Sequence, residues 1–425
     1  MKTYKFPRTN DNIYYDVLDN GLSICIIPNK NYPNYCASLG VFYGSCDLEF
    51  VPKGKKKFVK TNSGIAHFLE HKKFEMSDLV NANDFFSENG AGCNASTSFK
   101  ETKYYIWGSE KFKENFNHLL TYVFTPYFDE ESVKNEIGII NEEIKMYDDE
   151  PGWIIDETSK KMLFNILPIK EKIAGTYETI SKITAAELYE CYNTFYVPNN
   201  MFLIVSGNVS VEDVMDVIEK KGLSKIEPND NIKRKEYQES DLVKEEYKEL
   251  KLNIIIPKVK YCFKINTSNF NLKDKLKLDM YINIIESIIF GATSDFCEKV
   301  KKENIVEDYY VGHYLYDKYL ILEFNAESDK SDLFKEMVDM YLKNMKIEEK
   351  DLERMKRVWI ASEIRISDKS DILAESLLDD FFEYKRLCYD RINIVETLNI
   401  EELNGFLKDL TFNNNCFLLA NPKDN

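Results

Sequence analysis

Thr184-Ala185-Ala186-Glu187-Leu188 and, after a short interval, Asn199-Asn200-Met201-Phe202-Leu203 return later in the chain as Asn399-Ile400-Glu401-Glu402-Leu403 and Asn414-Asn415-Cys416-Phe417-Leu418. The offset is a constant 215 residues, from 187 to 402 and from 203 to 418. Glu187, Leu188, Asn200, Phe202 and Leu203 each meet an identical residue in the second copy. Each copy reads as a helix followed by a strand, and the shared register indicates a duplicated chain. Strands and helices are mixed within each half rather than strictly alternating. The fold class is therefore α+β, with two homologous domains that are each an antiparallel sheet covered by helices. Composition places a first domain at 1–226, a charged linker rich in Lys, Glu and Asp at 227–250, and a second domain at 251–425.

Working outward through the first half, Tyr14–Val17 and Leu22–Pro28 flank Asp19-Asn20-Gly21, a strong turn signal, and Ala37–Phe42 gives a third strand. Lys53-Gly54-Lys55-Lys56-Lys57 reads as a solvated loop. Ser63-Gly64 opens a helix, Asn94–Trp107 is extended, and helices follow at about Glu110–Phe124 and Glu130–Tyr147. Pro151-Gly152 stops the second of these.

The chain has four histidines, and two of them bracket a glutamate in His67-Phe68-Leu69-Glu70-His71. Four residues apart on a helix, the two imidazoles share a face, and Glu70 projects from nearly the same side. A hydrolytic zinc site needs these groups: neutral nitrogen ligands, and a carboxylate to take a proton from water. The order is the inverse of the commoner zincin motif. A third ligand must come from elsewhere in the first half. The helix 130–147 presents Glu136 and Glu143 two turns apart on one face, with Glu142 rotated by about 100°. One of the seven-spaced pair can bind metal while the other holds an imidazole N–H. The counterpart helix of the second half, Leu278–Phe290 before Gly291, contains no histidine.

The net charge of −16, from 72 acids against 56 bases, argues against nucleic acid as a partner. The amino terminus, Met1-Lys2-Thr3-Tyr4-Lys5-Phe6-Pro7, lacks the apolar core of a signal peptide, and no apolar run reaches the length of a membrane span. Nine cysteines without paired spacing fit free thiols. The expectation is a cytoplasmic protein without membrane or nucleic-acid partners. His118 and His313 pair with no cysteine in the sequence, which disfavours a Cys-His peptidase.

Gly64-Ile65-Ala66-His67-Phe68-Leu69-Glu70-His71-Lys72, Asn94-Ala95, Thr102-x-Tyr104, Glu136 and Glu143 together resemble the pitrilysin family of inverted-motif zinc peptidases, which includes insulin-degrading enzyme and the mitochondrial processing peptidase. Gly175-Thr176-x-Glu178 and Phe195-Tyr196-x-Pro198-x-Asn200-Met201 extend the likeness, which is greatest to short bacterial two-domain members. The resemblance implies one Zn2+ held by His67, His71 and Glu143, with Glu70 as the catalytic base and Glu136 orienting a ligand histidine. It also implies an edge strand at Asn94 and Ala95 on which a peptide substrate adds. One departure stands out. Complete members carry in their second half an arginine and, seven residues on, a tyrosine that steady the substrate carbonyl. Here those positions align with Val300 and Glu307, with Tyr309 and Tyr310 close by. Neither valine nor a carboxylate stabilises an oxyanion. The expectation is a zinc endopeptidase acting as one subunit of a heterodimer, whose homologous partner lacks the zinc motif and supplies the Arg/Tyr pair. The alternative is a non-catalytic scaffold or peptide-binding subunit.

Overall fold

The computed structural model describes residues 1–9, 11–76 and 81–423. They form two compact units. One comprises Met1–Lys145, Glu171–Glu236 and Ser362–Arg391, and the other Met146–Lys170, Tyr237–Ala361 and Ile392–Asn425. The first unit is built on a seven-stranded sheet in the order Lys2–Lys5, Asn12–Val17, Ser23–Pro28, Met201–Gly207, Tyr35–Val41, Thr102–Gly108, Ala91–Thr97. The second has five strands in the order Tyr247–Leu252, Asn415–Pro422, Lys258–Asn266, Tyr319–Glu327, Asp308–Tyr316.

Strand pairing shows the duplication. In both sheets the first of the five shared strands pairs parallel with the strand of the sequence repeat, and the three following pairings are antiparallel. The repeated helix starts are capped alike in the two copies. The Thr184 hydroxyl caps its helix by accepting from the Glu187 N–H, and the Asn399 carboxamide does so for Glu402, at the same positions 215 residues on. Asn200 donates to the carbonyls of Phe42 and Phe195, and Asn415 to that of Phe412.

The units differ from the division that composition suggests. Helix Pro151–Leu163 belongs to the second unit, where Lys260 bridges its Asp156 to Glu323. Helix Ser370–Tyr384 belongs to the first, where Phe382 covers Gly40 and Phe381 stacks on Phe202. The charged stretch 227–250 is not a free linker. Lys233–Arg234 pairs with Glu49–Val51, and Tyr247–Leu252 is a strand of the second sheet. Between them the buried Glu239 carboxylate accepts from the N–H groups of Asn165, Ile166 and Leu167 and from Lys264. Those donors hold its pKa down to about 2 against the opposing effect of burial. Pro151 does more than stop the preceding helix, because a proline at the first helical position needs no N–H partner and here begins the next one. Among the described residues no helix is long and apolar enough to cross a membrane.

Candidate metal centre

The motif lies on helix Ile65–Lys73, whose Ile65, Ala66, Phe68 and Leu69 are buried. Its start is set by backbone contact rather than by a side-chain cap. Gly64 has φ +92°, and a Cβ there would lie 2.6 Å from the Ala174 carbonyl oxygen. Gly175, at φ +76°, meets Ser63 and Gly64 from the other side, and a Cβ on it would lie 2.5 Å from the Ser63 oxygen. The two glycines let two chain segments touch, which fixes where the helix begins. The Gly175-Thr176 element thus acts locally, with Thr176 and Thr179 capping the following turn.

The second contribution comes from the acidic helix Glu130–Asp149, anchored by buried Val133, Ile140 and Ile144. It brings Glu136 and Glu143 to the imidazoles. His71 Nδ1 lies 3.0 Å from Glu136 Oε1 and its Nε2 3.3 Å from Glu143 Oε2; with Nδ1–H donating to Glu136, a neutral ring would offer Nε2 to a metal. His67 Nε2 lies 3.6 Å from Glu143 Oε1, and the two rings are 4.6 Å apart at their centroids. Ligand atoms of His67, His71 and Glu143 all fall within 4.8 Å of one another. Around a tetrahedral cation with bonds near 2.0–2.1 Å, ligand atoms lie about 3.3–3.4 Å apart, and the two imidazole-to-carboxylate distances, 3.6 and 3.3 Å, are close to that spacing. Electrostatics agree. Burial pushes the His71 imidazole pKa down, but hydrogen bonds to Glu136 and Glu143, with the charge of Glu70, outweigh it and lift it to about 9. The carboxylates around His71 favour positive charge on it. Glu142 points away and pairs with Lys145 at 2.6 Å.

Glu70 is buried, and its Oε2 accepts from the Thr97 hydroxyl at 2.6 Å. Sequence reasoning missed Thr97. It is the last residue of the edge strand Ala91–Thr97, which packs beside the motif helix. Below lies a buried tyrosine floor: the Tyr104 and Tyr196 hydroxyls are 2.7 Å apart, and Thr102 donates to the Tyr43 carbonyl at 2.8 Å. These are residues of the Thr102-x-Tyr104 and Phe195-Tyr196 elements. On the edge strand, Asn94 Oδ1 accepts from the Ala95 N–H at 2.9 Å. A backbone donor served by a side chain is one the neighbouring strand does not use, so Ala95 N–H faces the open edge with Asn94 covering it.

In the second unit, Val300 is buried in helix Asp295–Lys302 and Glu307 is exposed. The Tyr309 hydroxyl is committed to the Phe290 carbonyl at 2.6 Å, and Tyr310 is 68% exposed. The counterpart of the motif helix runs over Lys275–Ile285 and continues as a π-helical turn, Glu286–Phe290. His313 is bound there between carboxylates.

This sheet plan, with two helical imidazoles and a distant carboxylate in one cluster, is that of the two-domain pitrilysin-like fold carrying the inverted zinc motif. A model described as insulinase, peptidase family M16, matches residues 51–177, and one described as peptidase M16 inactive domain matches 182–358. An uncharacterised zinc protease of Bacillus subtilis, YmfH, is 36% identical over 310 residues, covering 72% of each chain. The crystal structure of an M16-like peptidase from Alicyclobacillus acidocaldarius superposes with a TM-score of 0.91 at 24% identity, covering 99% of this chain and 100% of that one. Pitrilysin superposes with a TM-score of 0.78 at 16% identity, covering 99% of this chain and 46% of its own. The chain belongs to peptidase family M16.

Proposed function

We propose that this chain is the zinc-bearing subunit of an endopeptidase that cleaves short unfolded peptides in a closed chamber, with a homologous partner supplying the missing Arg/Tyr pair. The observation that carries it is the placement of His67, His71 and Glu143 at ligand spacing with the Glu70 carboxylate pinned beside them. Zn2+ held by these three residues would polarise a peptide carbonyl and bring the pKa of water toward neutrality. Glu70 takes the proton of the attacking water and passes it to the leaving amine. Glu136 holds the His71 tautomer that leaves Nε2 as the ligand atom. The substrate pairs as an added strand on Ala91–Thr97, its carbonyl replacing the Asn94 side chain at the Ala95 N–H. Val300 and Glu307 favour a second reading, a peptide-binding subunit without turnover of its own.

Zinc titration followed by elemental analysis is the first test. One Zn2+ per chain is expected, lost in His67→Ala and Glu143→Gln and kept in Glu70→Gln. In the partnered protein Glu70→Gln should lower peptide hydrolysis by about 10²–10⁴-fold. Absence of bound zinc overturns the peptidase reading. Zinc binding with turnover indifferent to Glu70→Gln removes Glu70 as the base.

A further inference from the structure

The strand Ala91–Thr97 has two faces, and only one belongs to the metal centre. Ala91, Ala95 and Thr97 share the face that carries the Thr97 hydroxyl to Glu70. Gly92, Asn94 and Ser96 alternate to the opposite face, where their cross-strand neighbours are Trp107, Tyr105 and Lys103. Lys103 is paired with Asp379 at 2.6 Å. Tyr105 and Trp107 stack on each other with centroids 5.9 Å apart. Trp107 remains 47% exposed.

Gly92 explains the position of this ring. A Cβ on Gly92 would lie 2.4 Å from Trp107 Cε2 and Cζ2 and 2.8 Å from Nε1. The indole therefore occupies the space that any side chain at position 92 would fill. It reaches from the inner strand over the edge strand, toward the side where another strand can add. A residue placed directly opposite Gly92 on an added strand projects its side chain on this same face, about 5 Å away, beside the indole. Cross-strand aromatic pairs are favourable in that geometry.

We propose that Trp107, seated over Gly92, forms a specificity subsite that selects an aromatic or large apolar side chain on a peptide paired to this edge. The proposal rests on the edge-pairing reading of Asn94 and Ala95 above. Gly92 is five residues from Thr97, about 17 Å along an extended strand, so the selected side chain lies several residues from the bond that is cut. The subsite chooses and registers the peptide while the other face does the chemistry.

The test uses the full chain loaded with zinc, carrying Glu70→Gln so that bound peptides stay intact. Fluorescein-labelled twelve-residue peptides of alternating Thr and Lys, with Phe or Ser placed at each position in turn, are titrated by fluorescence anisotropy. At one register Phe is expected to bind roughly tenfold more tightly than Ser. Trp107→Ala should reduce that advantage to under twofold while leaving the Ser peptide's Kd unchanged. Gly92→Ala, which displaces the indole, should do the same. A Phe advantage that survives Trp107→Ala, or none in the parent, overturns the subsite. Ala95→Pro, which deletes an edge N–H, tests the underlying reading separately. If it leaves every Kd unchanged, or if no peptide binds at all, edge pairing fails and the subsite falls with it.

Discussion

Thr97 has one hydroxyl proton, and its neighbours decide where it goes. Thr102 spends its own proton on the Tyr43 carbonyl, and the Thr97 hydroxyl donates to Glu70 Oε2. On the proposed mechanism that hydrogen bond would fix the carboxylate and leave Oε1 for the exchange of protons with water. Thr97→Val keeps the shape and removes the donor. Turnover should fall about tenfold with KM and zinc content nearly unchanged, and Thr97→Ser should restore most of it. An unaltered kcat in the valine variant would rule out a positioning role. On the same reading Glu136 would act through His71, which it meets at 3.0 Å. Glu136→Ala should weaken zinc binding by roughly 10–100-fold in a chelator competition, with the fold unchanged by circular dichroism. The asymmetry between the ligands sharpens this expectation, since buried His67 Nδ1 has no hydrogen-bond partner among the described residues. Unchanged affinity would mean that packing alone orients the ring.

Among the secondary-structure elements, the second unit carries an ionic clamp where the first carries its candidate metal centre. His313, on strand Asp308–Tyr316, faces Asp279 Oδ1 from Nε2 and Glu286 Oε1 from Nδ1, both at 3.0 Å. Only an imidazolium donates from both nitrogens. Burial pushes its pKa down, but the hydrogen bonds and charges of Asp279 and Glu286 prevail and raise it to about 9. A folded-state pKa above the unfolded value of about 6.5 gives stabilisation that is complete below that pH and lost as pH rises through 9. Its size is about 3 kcal/mol at most. Denaturant unfolding between pH 6 and 9.5 should show this loss in the parent and a flatter profile in His313→Gln. Identical profiles would mean the clamp contributes nothing. The same elements show what sequence could reveal. The two imidazoles and Glu70 were legible because helical periodicity is local. The repeat was legible because each copy keeps its own cap and strand start. Glu143 could be chosen over Glu136 only through the family likeness, since which carboxylate meets the imidazoles depends on how two distant helices pack. Glu239 falls within the charged stretch that composition assigns to a linker, because its partners, the N–H groups of 165–167 and Lys264, are remote in sequence. The exchange of helices Pro151–Leu163 and Ser370–Tyr384 between units left no trace in composition for the same reason.

For the whole molecule, the question is where the groups that steady the developing oxyanion come from. Within this chain the candidate positions are closed. Val300 is fully buried in its helix, so Val300→Arg would push a charge into the core and destabilise the unit rather than create a donor. The Tyr309 hydroxyl already serves the Phe290 carbonyl, and Glu307 carries the wrong charge. Oxyanion donors are worth about 10²–10³ in turnover each. The zinc-loaded chain alone should therefore hydrolyse a fluorogenic peptide at least about 100-fold more slowly than its mixture with a homologous chain that has the Arg/Tyr pair and no zinc motif. Sedimentation should show a one-to-one complex in that mixture. Replacing the partner's arginine should return the rate to that of the lone chain without changing zinc content. Because this chain's own zinc ligands and base are untouched in that comparison, the difference isolates what the second chain contributes. If the lone chain already turns over at the full rate, this protein finds its oxyanion donors within itself and the partner is unnecessary.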